Sequence, residues 1–146
     1  DSAVKVWDLQ AATCTTTLRG HTDFVYSVAV WGSSIVSGSA DGTVRVWDPR
    51  AATCTATLAG HRDAVLSVAP SSHHLASGSL DKTVRVWEAR TGTCLASLAG
   101  HTDWVLSVAA MAAPCTAAPG TQPSECGTSP RAPVSPACLQ LGQLHQ

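Results

Sequence analysis

An eight-residue stretch recurs three times in this chain at a fixed interval. DGTVRVWD at residues 41–48 returns as DKTVRVWE at 81–88, and a third version, DSAVKVWD, occupies residues 1–8. The repeat is longer than these eight residues, because 20–59 and 60–99 are identical at 22 of 40 positions when aligned without a gap. Self-similarity at such a period is typical of folds that stack one supersecondary unit on the next. The sequence therefore predicts stacked copies of one unit.

Each unit contains four short segments with the composition of β-strands. In the first complete unit they are SVAV at 27–30, SIVSGS at 34–39, TVRVWD at 43–48 and TCTATL at 53–58. They are rich in Val, Ile and Thr and are separated by Gly, Ser, Asp or Pro, which is typical of strands joined by tight turns. We therefore predict an all-β chain with four strands in each unit.

The turn between the second and third strands differs between the two complete units. Asp41-Gly42 predicts a two-residue hairpin turn of the primed type, because such turns need positive φ and Asp-Gly supplies it. The second unit has Asp81-Lys82 at the same place. Lys tolerates positive φ poorly, so we expect a turn of another type, or a strained one, there.

Charge and hydropathy argue against two classes of partner, nucleic acids and membranes. Nine Lys and Arg stand against ten Asp and Glu, for a net charge of −1. The chain thus lacks the basic excess that holds a phosphate backbone, and we predict no nucleic-acid binding. No apolar run reaches the roughly 18 residues of a membrane span, and no secretory signal is present, so we predict no membrane association.

The cysteines are spaced with the repeat rather than as a disulfide framework. Cys14, Cys54 and Cys94 occupy the same position in successive units, each within a predicted strand. We interpret them as small apolar filler in a reducing compartment. The corresponding expectation is a cytoplasmic location, with the nucleus as the alternative.

The repeat pattern stops after Val108. A third unit would need an Asp at position 121 and a Trp at 127, where the chain has Thr121 and Gly127. Residues 111–146 hold six of the eight Pro and two charged residues, a composition that cannot bury enough apolar surface to offset the entropy of ordering. We therefore predict a Pro/Ala/Ser-rich disordered tail over 111–146.

The predicted repeat region covers residues 1–110. Because Asp1 falls inside a repeated unit, we interpret the chain as a fragment. The units are 1–19 (partial), 20–59, 60–99 and 100–110 (partial).

The complete units share three motifs: Gly-His near the start, SGSxD in the middle and Val-Trp-Asp or Val-Trp-Glu at the end. This combination resembles the WD-repeat β-propeller family. The resemblance extends from residue 1 to about 110. It implies an incomplete WD-repeat propeller with two full four-stranded blades and parts of two others. The strands so implied are 24–30, 34–39, 43–48 and 53–59, then 64–69, 74–79, 83–88 and 93–98, flanked by 3–8, 13–18 and 104–109.

The resemblance also implies a structural role for a set of polar side chains. In the family, a His, a Ser, an Asp and a Trp form a buried hydrogen-bonded tetrad in each unit, and their donors and acceptors can satisfy one another. Here the structural tetrads are His21, Ser37, Asp41 and Trp47, and His61, Ser77, Asp81 and Trp87. Ser39 and Ser79 are alternatives for the two serines. Asp1 with Trp7, and His101 alone, are halves of two further tetrads.

Ser, His and Asp in every unit also raise the possibility of a hydrolase. A nucleophilic triad is needed only once, whereas this set occurs twice with a Trp attached, and no G-x-S-x-G elbow is present. His73 and His74 are adjacent on a predicted strand and point to opposite faces, without a third ligand at related spacing. We therefore predict no enzyme activity, no catalytic residues, no metal site and no cofactor.

If the tetrads are structural, function is expected at the exposed loops and strand ends. In the family, the surface near the propeller axis is formed by the start and middle of the innermost strand and by the residue before the turn Asp. The partner-binding positions implied here are Phe24, Tyr26, Ala40, Ala64, Leu66, Leu80, Trp104 and Leu106. None is charged, which favours an apolar peptide over phosphate. The alternative is that Phe24 and Trp104 pack against a neighbouring blade.

Three functional hypotheses follow. The first is a non-enzymatic protein–protein interaction scaffold that binds a peptide or protein. VWGSSIV and TCTATLAGH are similar to F-box WD-repeat receptors, which implies a ubiquitin-ligase substrate receptor, although no Arg stands at the positions where some of those receptors read phosphate. The second is the regulatory propeller of a larger signalling protein, and the third is a truncated product without independent function. Bare edges at 3–8 and 104–109 predict self-association of the fragment.

Overall fold

The computed structural model describes residues 1–88 and 90–111, and within them the chain forms ten antiparallel strands and no helix. The strands form a two-stranded N-terminal hairpin and two four-stranded sheets. The hairpin consists of β1 (Ala3–Asp8) and β2 (Thr13–Arg19). The first sheet consists of β3 (Val25–Trp31), β4 (Ser34–Ser39), β5 (Thr43–Asp48) and β6 (Thr53–Ala59). The second sheet consists of β7 (Val65–Pro70), β8 (His74–Ser79), β9 (Thr83–Glu88) and β10 (Cys94–Ala99).

The all-β prediction is confirmed, and the ten strands lie within one residue of the bounds that the sequence predicts. The strand predicted at 104–109 is wrong, because the structure assigns no strand there. A strand needs a hydrogen-bonded neighbour, and no described strand lies beside this segment. It instead packs on the second sheet, where the Val105 N–H donates to the Ser79 carbonyl at 3.1 Å.

The hairpin and the sheets stack face to face, and an apolar cluster fills each space between them. Val4 and Leu18 of the hairpin pack with Trp47 of the first sheet. Val36 and Leu58 of the first sheet pack in another cluster, with residues of the second sheet. Each sheet thus buries its faces only against its neighbours, as expected for a repeat fold.

The innermost strand of each unit approaches a glycine of the preceding sheet. A Cβ added to Gly38 would lie 2.7 Å from Val65 and 3.1 Å from Val68. Gly78 has the same relationship to the segment after β10, with 2.7 Å to Val105. The segment around 105–108 therefore occupies, on the second sheet, the place that β7 occupies on the first.

The hairpin turn after β4 is not of the predicted two-residue primed type. Such a turn needs positive φ at both central residues, but only Gly42, with φ +77°, is in the left-handed region. The Gly42 N–H donates to the Ser39 carbonyl at 3.2 Å, which gives a three-residue loop ending in a left-handed residue. Lys82 adopts the same conformation, with φ +67°, so the second turn is of the same type and carries the strain of a non-glycine residue.

The cysteines do not serve as core filler as predicted. Cys14 and Cys94 are exposed, Cys54 is half-buried, and all three are free thiols. They lie on the outermost strand of each unit, whose edge faces solvent. Each is paired across the ladder with a Trp at a β-bulge, as Cys54 is with Trp47.

Two further expectations concern particular parts of the chain. The predicted tail at 111–146 lies outside the described residues from position 112 onward. Within the described ranges, the structure contains no helix of the length and hydropathy needed to cross a membrane.

Candidate functional site

The structure brings the four residues of the first predicted tetrad into one chain of hydrogen bonds. Trp47 Nε1 lies 2.8 Å from Ser37 Oγ, which lies 2.7 Å from His21 Nε2. His21 Nδ1 lies 2.8 Å from Asp41 Oδ2. The chain joins the loop before β3 to β4, to the turn after β4 and to β5, so one network holds two strands and two connections together.

The chemistry of the end groups fixes the direction of this chain. The Trp47 indole can only donate, so Ser37 Oγ accepts from it. The Asp41 carboxylate can only accept, so His21 Nδ1 donates to it. We assign the imidazole as neutral with its proton on Nδ1, so that Ser37 Oγ donates to Nε2 and every polar group in the chain is satisfied.

The pKa values of the two titratable members agree with this assignment. Burial lowers the pKa of His21, and the adjacent Asp41 carboxylate only partly opposes that shift. Burial alone would raise the pKa of Asp41, but hydrogen bonds from Thr43, His21 and the Thr22 backbone outweigh it and lower the pKa to about 2. At neutral pH the tetrad holds an uncharged ring against an ionised carboxylate.

The second tetrad repeats the first. Trp87 Nε1 to Ser77 Oγ is 2.8 Å, Ser77 Oγ to His61 Nε2 is 2.7 Å, and His61 Nδ1 to Asp81 Oδ2 is 2.8 Å. Burial again lowers the pKa of His61. For Asp81, burial is again outweighed by hydrogen bonds, first from Thr83, and the pKa falls well below its usual range.

Neither tetrad leaves space for a substrate. Ser37 and Ser77 are fully buried, and each Oγ is engaged by both the indole and the imidazole. A nucleophilic Ser needs an open approach and an oxyanion site beside it. We assign the tetrads to holding each sheet together. Over residues 1–88 and 90–111, no group of three His, Cys, Asp or Glu side chains is placed to hold a metal ion.

Several residues that support the tetrads were not predicted. Thr43 donates both its hydroxyl, at 2.6 Å, and its N–H, at 2.9 Å, to Asp41 Oδ1. Ser39, offered as an alternative tetrad serine, instead donates to the Asp23 carbonyl and accepts the Asp41 N–H, both at 3.2 Å. The signal that could have revealed them is the identity of Thr43 and Thr83, and of Ser39 and Ser79, between units.

An arginine of the third strand in each complete unit was also missed. The Arg45 guanidinium lies over the Trp47 ring, 5.9 Å from its centroid, and Arg85 lies 6.0 Å from that of Trp87. Such placement is favourable for a cation and an indole face. The two guanidinium groups also lie beside the glycines that precede the tetrad histidines, since a Cβ added to Gly60 would lie 2.7 Å from Arg85 Nη1.

One edge of the stack carries five of the eight residues predicted to bind a partner, and Tyr26, Leu66 and Leu106 lie two residues beyond it in the inner segments. We call it the loop rim and define it by segments 20–24, 40–42, 60–64, 80–82 and 100–104. The Ala40 N–H donates to the Phe24 carbonyl at 2.8 Å, and the Leu80 N–H donates to the Ala64 carbonyl at 3.0 Å, so these positions are adjacent. The hairpin turn at Leu9 lies at the opposite edge, because β1 and β2 run from one edge to the other.

The predicted rim residues differ in exposure. More than half of each of four side chains is in solvent: Phe24, Tyr26, Trp104 and Leu106. Ala40, Leu66 and Leu80 are half-buried. Ala64 is buried, so it offers little surface to a partner. Its methyl group does not extend beyond the surrounding backbone, whereas the aromatic side chains at the equivalent positions do.

The exposed aromatic residues are held by a repeated local contact. The Phe24 N–H donates to Asp23 Oδ1 at 2.8 Å, and the Trp104 N–H donates to Asp103 Oδ1 at the same distance. Each Asp side chain thus folds back on the backbone at the point where the chain enters the inner segment. The backbone below each aromatic ring is therefore fixed although the ring itself lies in solvent.

Comparisons with known proteins agree with this architecture. The family described as "WD domain, G-beta repeat" matches residues 12–48 and 52–88. No curated protein matches the chain. A solved structure titled "Structure of U3-55K" matches with a TM-score of 0.72 and 26% identity, over 77% of this chain and 37% of that one. The chain thus spans little more than a third of that structure. The match to the family over half of the sequence, together with the four-stranded sheets, shows that this chain belongs to the WD-repeat family.

Proposed function

We propose that this chain is a non-enzymatic scaffold whose loop rim binds an apolar segment of a peptide or protein. WD repeats indicate a protein-interaction scaffold. The single observation that carries the finer proposal is the exposure of Phe24 and Trp104 at equivalent positions of the rim, with more than half of each ring in solvent.

The chemistry of the rim supports an apolar partner. Large aromatic side chains supply much of the binding energy at protein interfaces when they enter a pocket or receive an apolar group. The predicted rim positions carry no charge. The carboxylates beside the two rings, Asp23 and Asp103, already accept backbone N–H groups. The surface around Phe24 and Trp104 therefore offers apolar area next to carboxylates, and the basic residues of the loop rim, Arg62 and Lys82, lie in the unit between the two rings.

Selection from a random-peptide display library tests this proposal. We expect the wild-type chain to enrich peptides with aromatic or aliphatic anchors. The variants Phe24→Ser and Trp104→Ser should each weaken binding of a selected peptide by roughly tenfold or more, the usual effect of truncating an aromatic hot spot. Leu9→Ser is the matched control, since Leu9 is equally apolar and more exposed but lies at the opposite edge.

Two results would contradict the proposal. One is enrichment of acidic or phosphorylated peptides by the wild-type chain. The other is a selected peptide that binds the Phe24→Ser and Trp104→Ser variants as tightly as it binds the wild type. Unchanged thermal unfolding of both variants would show that a loss of binding reflects the rim and not the fold.

A substrate receptor of a ubiquitin ligase is the more specific version of this proposal. It is supported by the short connection between β3 and β4, where Gly32 with φ +59° allows a tight turn within VWGSSIV. Fusing a rim-selected peptide to a reporter should shorten the reporter's half-life in cells that express the protein, and Phe24→Ser should restore it. A reporter that is bound but remains stable would remove the receptor role and leave the scaffold role standing.

A further inference from the structure

One apolar contact recurs at each space between the described sheets. Leu18 of the hairpin and Trp47 of the first sheet belong to one buried cluster. Leu58 of the first sheet and Trp87 of the second belong to the next. Each contact joins a Leu of an outermost strand to the Trp 29 residues further along the chain, and all four side chains are at most 4% exposed.

Half of the same contact is exposed at each end of the stack. Trp7, equivalent to Trp47, is 55% exposed, whereas Trp47 is 1% exposed. Leu98, equivalent to Leu58, is 37% exposed, whereas Leu58 is 4% exposed. No part of the chain that the structure describes covers either side chain. Trp7 and Leu98 are therefore the two complementary halves of a contact that the chain makes twice internally.

We propose that a second copy of this chain completes the contact, with Trp7 of one copy packed against Leu98 of the next in a head-to-tail arrangement. The interface repeats the outer-strand part of the contact between the first and second sheets, so the shape and apolar character of that part are already present in the fold. The hairpin of one copy then stands beside segment 105–110 of the other, where the described residues place no outer strand.

The N-terminal face has room for that segment. Trp7, Val28 and Val30 line a groove of about 430 Å³ between β1 and β3. Val28 is 56% exposed, whereas its equivalent in the second sheet, Val68, is 7% exposed because the first sheet covers it. The groove therefore marks the place where an inner strand of a preceding sheet would lie.

A hydrogen bond seen twice in the chain predicts the register of this contact. Ser27 Oγ accepts the Val68 N–H, and Ser67 Oγ accepts the Val108 N–H, each at 3.2 Å. The next member of this series places Ser107 of one copy against the Val28 N–H of the following copy. Ser107 is exposed in the described chain, as that position requires.

The two surfaces are different patches, so the association is heterologous. An open assembly keeps one free face at each of its two ends, and assemblies therefore close into a ring or extend with concentration. This property distinguishes the arrangement from a symmetric dimer, in which one patch contacts itself.

Sedimentation velocity of the full chain over a wide concentration range tests the proposal. We expect the weight-average mass of the wild type to rise with concentration. Trp7→Ser and Leu98→Asp should each weaken the association at least tenfold, since each removes one half of the central contact. Leu9→Ser, a change of an exposed apolar residue in the same hairpin as Trp7, should associate as the wild type does.

Mixing the two variants gives the decisive measurement. Trp7→Ser retains an intact Leu98, and Leu98→Asp retains an intact Trp7. An equimolar mixture should therefore form a one-to-one dimer that grows no further, while each variant alone remains monomeric. A wild type that is monomeric throughout, variants that associate as the wild type does, or a mixture that forms no dimer would each overturn the proposal.

Discussion

Ser27 Oγ in the first sheet accepts the backbone N–H of Val68 in the second sheet at 3.2 Å. The bond crosses the space between the two sheets, as does the bond from Trp31 Nε1 to the Ser71 carbonyl, while apolar side chains fill the rest. We predict that Ser27→Ala lowers the free energy of unfolding by about 1–2 kcal/mol, because the Val68 N–H loses its partner. Hydrogen exchange at the Val68 amide should become faster. The control is Ser33→Ala in the exposed β3–β4 turn, and equal exchange in both variants would contradict the assignment.

Loss of the tetrad serine Ser37 should destabilise the fold. We predict that Ser37→Ala lowers the free energy of unfolding by about 2–4 kcal/mol, since the Trp47 indole and the His21 ring both lose a buried partner. In a Trp47→Phe background the donor is already absent, so the same change should cost about 1 kcal/mol less. Chemical denaturation of the single and double variants measures this coupling. Additive effects would show that the indole and the hydroxyl act independently.

The buried histidines should make the fold sensitive to mild acid. Burial lowers the folded-state pKa of His21 and His61 below the ordinary value of 6.5, so the unfolded chain binds more protons below that pH. Stability is therefore full above pH 6.5 and falls as the pH drops below it, with a slope of at most ~1.4 kcal/mol per pH unit for each histidine.

A second acid transition should follow at lower pH. The pKa of Asp41 is lowered from 3.8 to about 2, so its contribution is present above pH 3.8 and is lost as the pH falls towards 2. NMR titration of the imidazole resonances and denaturation between pH 7 and 5 measure the histidine part. A His21 ring that titrates at or above 6.5 in the folded chain would contradict the neutral assignment.

The two equivalent turns provide a matched pair of backbone substitutions. Lys82 has φ +67°, a conformation that costs a non-glycine residue about 1–2 kcal/mol, partly offset by the greater entropy of an unfolded glycine. We predict that Lys82→Gly raises the free energy of unfolding by about 0.5–1 kcal/mol. Gly42→Lys should lower it by a similar amount at the first turn. Thermal unfolding of both variants tests this, and a neutral Gly42→Lys would show that the turn tolerates either residue.

The repeat predicted the strand positions well because constant spacing within the units fixes where a strand lies. The third strand shows this, since two residue types precede it or lie near its end at the same offsets in each complete unit. Trp47 and Trp87 are the last residue but one of the third strand, and Asp41 and Asp81 precede it, so an error of register would break the period. The tetrads could be named from the sequence for the same reason. Their geometry could not, because the choice between Ser37 and Ser39 depends on which hydroxyl faces the indole.

Other features depended on neighbours that the sequence pattern does not show. The segment 104–109 has the composition of a strand, but without a partner it forms no ladder. Ala64 stands at the same repeat position as Phe24, yet its methyl group is buried whereas the larger phenyl ring extends into solvent. The turn type at Asp41-Gly42 followed from the length of the loop, which begins at Ala40, and not from the dipeptide alone.

The glycines at the inner strands have a geometric consequence. At Gly38 and Gly78 a valine of the next unit approaches so closely that even a methyl group would collide with it. The curvature of a repeat array follows from the small rotation between successive units. Because glycine has a hydrogen atom in place of a Cβ at these two positions, the inner ends of adjacent units can lie close together while their outer ends diverge. Adding a single methyl group at either position would push the inner ends of adjacent units apart and reduce the curvature of the array.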